Sequence, residues 1–141
     1  MNRSRLLFPV LVLAGASILA AAPVNAGGRP VSASLAATNE VAPAAPGQVG
    51  ATGSAAVTLN QGRGEICFEI DSNVTGPTAA HIHEAPVGKN GPIVVTLSVT
   101  DGCVSADRVL VKEIRQNPAG FYVNVHSTAN PLGAVRGQLA P

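Results

Sequence analysis

The sequence predicts a mainly β fold, an antiparallel β-sandwich carrying one short helix. Three observations lead there. Several short segments alternate apolar and polar residues, turn signals rich in glycine, proline and asparagine separate them, and no strand-helix rhythm of the kind a parallel sheet needs runs through the chain.

The first 26 residues are set apart from that fold. Two arginines, Arg3 and Arg5, precede an apolar run from Leu6 to Ala22 that ends in Val24-Asn25-Ala26. This is the pattern of a secretory signal peptide cut after Ala26. An uncleaved anchor is the alternative, and Pro9 with the Ala-rich exit favours cleavage. Residues 27–141 then form one domain of ordinary size, secreted or periplasmic, with no membrane span. Cleavage removes two of the nine basic residues and leaves seven against eight acids. A near-neutral chain without a basic run has no electrostatic footprint for nucleic acid.

Val31–Thr38 alternates as a half-buried strand and leads into a Pro/Gly-rich loop, 39–50, that carries Glu40. Ala51–Leu59 and Glu65–Asp71 read as a hairpin turning at Gly62 and Gly64. A connection through Gly76-Pro77 leads to the strand Ala80-His81-Ile82-His83. Ile93–Val99 has a continuous apolar centre, as a strand buried on both sides does. Ala106–Gln116 reads as the helix, with Ser105 as N-cap and Val109, Leu110 and Ile114 turned inward, although the stretch also reads as a strand. Pro118 and Gly120 end it. Phe121–His126 is the last long strand.

Cys67 and Cys103 are the only cysteines. In an exported chain one disulfide between them is the economical reading, with two free thiols holding a metal as the rival. The alternation turns Cys67 away from the core, so its partner comes from a covering loop or a sheet edge. The turn Asp101-Gly102-Cys103 suits that role.

All three histidines fall in two segments. On a strand, His81 and His83 share one face while Ala80 and Ile82 share the other. Tyr122, Asn124 and His126 likewise lie opposite Phe121, Val123 and Val125. The imidazoles are therefore off the core and can share one surface if the strand order allows it. No nucleophile–histidine pair, paired carboxylate motif or Gly-rich phosphate loop is present, which leaves hydrolase and nucleotide-binding readings without residues.

The segments Ala80–His83, Gly88–Val95, Asn117–His126 and Pro131–Leu139, in this order, resemble the CHRD domain, a family named for repeats in chordin and found as single-domain exported bacterial proteins. The resemblance covers roughly Val31 to Leu139. It implies a Greek-key-like sandwich of the immunoglobulin or copper,zinc superoxide dismutase type, and Cys67 and Cys103 fall where many bacterial members carry a pair. The family's bacterial members mostly lack an assigned activity. Glu84-Ala85-Pro86 departs from the small, Gly-rich segment that commonly follows the HxH pair, and places a carboxylate beside the presumed site.

Neutral imidazoles are ligands for copper and zinc. The expectation is a three-nitrogen site from His81, His83 and His126, with copper favoured because no carboxylate cluster accompanies it. Glu84, Tyr122, Asn124 and Arg136 are expected as supporting hydrogen-bond partners or, for Arg136, an anion contact. The alternatives are an envelope or extracellular protein-interaction module with structural histidines, and a copper redox protein of the superoxide dismutase kind.

Overall fold

The computed structural model describes residues 28–141; the proposed signal peptide lies outside them. The strands are β1 (Arg29–Ala36), β2 (Thr52–Asn60), β3 (Glu65–Ser72), β4 (Pro77–Glu84), β5 (Ile93–Leu97), β6 (Asp101–Ser105), β7 (Phe121–Ser127) and β8 (Val135–Gln138). One α-helix, α1 (Arg108–Gln116), joins β6 to β7. Among the described residues no helix is long and apolar enough to cross a membrane.

All eight strands belong to one antiparallel sheet, ordered β5-β4-β7-β8-β1-β2-β3-β6. Its middle is thin. β8 meets β1 through the single pair Ala36↔Arg136, supplemented by a bridge between Ser32 and Ala140. The sheet therefore bends there into two four-stranded layers, β5-β4-β7-β8 and β1-β2-β3-β6. Only residues 98–100 separate the two outermost strands, β5 and β6, a link too short to cross a flat eight-stranded sheet. The layers fold over until their ends meet, giving a sandwich that is nearly a closed barrel.

Alternation decides what fills it. Leu35, Val57, Leu59, Ile66, Ile82, Val123, Val125 and Val135 are at most 2% exposed and form one cluster drawn from both layers. Each large aliphatic side chain so buried contributes about 1.5–3 kcal/mol.

Three local expectations are corrected. β5 is an edge strand whose Ile93 is exposed, so it is buried on one face only. Asp101–Ser105 is a strand, and Cys103 stands directly opposite Cys67 on β3, where the two form a disulfide. The helix is capped by Asp107, whose Oδ1 accepts from the Val109 backbone N–H at 2.7 Å, while Ser105 ends β6. That start turns Val111 and Ile114 inward and leaves Val109 exposed.

β7 departs from simple alternation because both its faces are covered: Tyr122 and Asn124, on the side away from the core, are each 3% exposed. Their cover is two loops. The β1–β2 loop and the β4–β5 loop are tied together by Asn90, whose Nδ2 donates to Ala42 O at 2.8 Å. The β4–β5 loop is tied to the sheet by Gln138, donating to Ala85 O at 2.7 Å.

Candidate metal centre

The register of β4 against β7 sets the site. Ala79 faces His126, His81 faces Asn124, and His83 faces Tyr122. His126 is thus a diagonal neighbour of His81 on the outer face of the layer, close enough for long side chains to touch. The three rings converge: centroids lie 4.9 Å (His81–His126), 5.7 Å (His81–His83) and 6.2 Å (His83–His126) apart. One ligand-capable nitrogen from each lies within 4.8 Å of the other two.

Backbone carbonyls decide which nitrogens those are. His83 Nδ1 meets Gly91 O at 2.9 Å and His126 Nδ1 meets Pro131 O at 3.1 Å. A carbonyl only accepts, so both Nδ1 atoms carry protons and both Nε2 atoms keep bare lone pairs. Such an outer hydrogen bond commonly orients a metal-ligating imidazole. His126 Nε2 lies 3.0 Å from His81 Nδ1, which serves as its donor in the metal-free protein. His83 Nε2 is buried and has no hydrogen-bond partner among the described residues. A sealed lone pair without a donor is costly, and beside two further imidazole nitrogens it fits a bound cation. Nitrogens about 2.0–2.1 Å from one ion come within roughly 3–4 Å of each other, so a spacing of up to 4.8 Å calls for a small inward movement of the rings around an ion.

All three rings are held below the ordinary imidazole pKa. Burial is the main cause for each; neighbouring positive charge on His126 and His83 adds to it for His81, on Arg136 for His83 and on His83 for His126, while the carbonyl bonds of His83 and His126 work in the opposite sense. The neutral, ligating form is thereby favoured.

Around the imidazoles stands a packed polar layer. The Tyr122 ring is stacked on His83 with 4.7 Å between centroids and 8° between planes, and the Arg136 Cζ lies 3.3 Å from its centroid. Since β4 and β8 flank β7, the two groups reach Tyr122 from opposite sides. Tyr122 Oη accepts from the Gly91 N–H at 3.2 Å. Arg136 is 2% exposed and donates to Asn90 Oδ1 and Pro86 O. It is therefore neither a surface ion pair nor open to a dissolved anion.

Glu84 pairs across from Phe121, falls on the Ile82 side of β4 and is exposed, with no side-chain partner among the described residues. The carboxyl group of this layer is Glu40, 8% exposed, whose Oε1 accepts from Asn124 Nδ2 at 2.6 Å. Burial raises its pKa to about 7, against the opposing effects of the Asn124 bond and the Arg136 charge. Glu40, Asn90 and Gly91 were not expected here from sequence. They sit in loops, and loop closure over a strand leaves no periodic signal.

The CHRD domain family model matches residues 31–139. No curated protein and no solved structure matches the chain significantly. CHRD domains are extracellular interaction modules. The match takes in every strand from Val31 onward, both loops over the histidines and both cysteines, so the chain belongs to the CHRD domain family.

Proposed function

We propose that the mature protein is an exported CHRD module that binds one copper ion through His81, His83 and His126. The observation that supports this reading is the buried His83 Nε2, without a partner among the described residues, beside nitrogens of His81 and His126. Copper is favoured over zinc because an all-imidazole set follows the usual affinity order, which peaks at Cu²⁺. Tyr122, Asn124 and Arg136 hold the layer in place, and no catalysis is part of the reading. Calorimetric titration of the purified mature domain with Cu²⁺ tests it. One equivalent binds to the wild type, and an unchanged affinity after replacing all three histidines with alanine overturns the proposal.

A second reading, a protein-binding module with structural histidines, draws on the exposed apolar residues Val49, Val87 and Leu132. They stand on the three loops that surround the site. It requires that no stoichiometric copper bind and that a partner be retained by the triple-alanine protein.

A further inference from the structure

The covering loops and the edge of the His83 ring enclose a cleft of about 170 Å³ that is also lined by Glu40, Pro43, Ala44, Tyr122, Asn124 and Leu132. Its side-chain hydrogen-bond inventory is weighted toward acceptors, the Tyr122 hydroxyl hydrogen being the donor that no bond below uses. Both hydrogens of Asn124 Nδ2 are spent, on Glu40 Oε1 and on Val135 O at 3.2 Å. Asn90 Nδ2 is committed to the Ala42 carbonyl and the Gly91 N–H to Tyr122. Acceptors remain: Glu40 Oε2 and Asn124 Oδ1 have no partner among the described residues, and neither is among the buried atoms sealed off without one.

Glu40 has no ion pair among the described residues; Arg136, bonded to Asn90 and Pro86 and lying on the Tyr122 ring, acts on it only as a nearby charge. The carboxyl group is seated against Gly133, where a Cβ would come 2.6 Å from Oε2. A buried carboxylate without a paired cation is unfavourable, and a donor-bearing cation that reaches it relieves that cost. An anion would be repelled.

We propose that this cleft binds a primary alkylammonium group, its N–H donors meeting Glu40 Oε2 and Asn124 Oδ1 and its alkyl part lying on Pro43, Ala44 and Leu132. The source is a free amine or a lysine side chain of another protein. The inference does not depend on copper.

The test is a titration of the mature, chelator-treated domain at about pH 8.5, where an alkylamine of pKa near 10.4 is still protonated, followed by amide NMR. n-Butylammonium chloride is expected to give saturable shifts at Asn124, Gly91 and Ala44, whereas sodium butyrate and sodium chloride do not. Glu40→Gln keeps the Asn124 bond and is expected to weaken binding by at least about tenfold, the scale of a lost charge-assisted contact. Leu132→Ala, at the exposed rim, weakens it several-fold without touching the carboxylate. His126→Ala leaves it unchanged while weakening copper binding, which separates this inference from the metal reading. A lysine peptide that binds more tightly than butylammonium, and loses binding on side-chain acetylation, assigns the source to a protein; the reverse order assigns it to a free amine. Absence of saturable binding, an equal response to sodium chloride, preference for butyrate, or unchanged affinity in a folded Glu40→Gln protein overturns the proposal.

Discussion

The His83 imidazole lies flat against the Tyr122 phenol ring, with 4.7 Å between centroids and 8° between planes. The stack holds one metal-ligand candidate against a side chain that also binds the loop above it. Tyr122→Phe keeps the ring and removes the acceptor for Gly91 N–H; it is expected to cost about 1 kcal/mol in urea unfolding with little change in copper affinity. Tyr122→Ala removes the stack as well, and is expected to cost about 3 kcal/mol or more and to weaken copper binding.

Gly91 has no room for a side chain, since a Cβ there would overlap the Glu84 carbonyl. Gly91→Ala is expected to displace the loop whose carbonyl orients His83. Copper affinity should fall roughly 10–100-fold, the usual effect of losing an outer partner of a ligand, with His81 and His126 untouched. Calorimetry on the variant checks this.

The pH dependence of stability has two opposing parts. Glu40 binds its proton more tightly folded, with a pKa of about 7 against a model value of 4.5. Its stabilising contribution is complete below 4.5 and is lost as pH rises through about 7. The histidines bind protons less tightly when folded than the model value of 6.5. Their contribution is complete above 6.5 and is lost as pH falls through their lower folded values. Glu40→Gln should therefore gain stability relative to wild type between pH 5 and 8, by about 2 kcal/mol, measured by urea unfolding across that range.

In the proposed copper site, protons would compete with the ion only where the imidazoles charge. Because all three are held below 6.5, copper release on acidification should lie lower than for an unstructured histidine peptide titrated alongside.

Cys67 and Cys103 are 36 residues apart in sequence and face each other across β3 and β6, in the layer that does not carry the histidines. Replacing both with serine should cost about 2–4 kcal/mol by the loop-closure argument. Copper affinity should stay within about twofold, as for independent sites. Paired unfolding and binding measurements distinguish the two effects.

Period-two alternation made most strands readable, and with them the shared face of His81, His83 and His126. The strand order that brings His126 diagonal to His81 required the fold. Asp101-Gly102 carries turn chemistry yet enters a strand because β3 offers an edge to pair with. Nearness to His83 in sequence points to Glu84, but pleating turns it to the other side, and Glu40 arrives instead from a loop more than 40 residues upstream. A loop folding back over a strand obeys hydrogen-bond satisfaction, which no local pattern encodes.

The three-residue link between β5 and β6 also bears on self-association. An unpaired sheet rim invites another chain to add a strand. Here both rims are only five residues long and are turned toward one another, so an incoming molecule finds little template to extend. Lengthening that link to let the rims part should therefore make the domain more prone to polymerise.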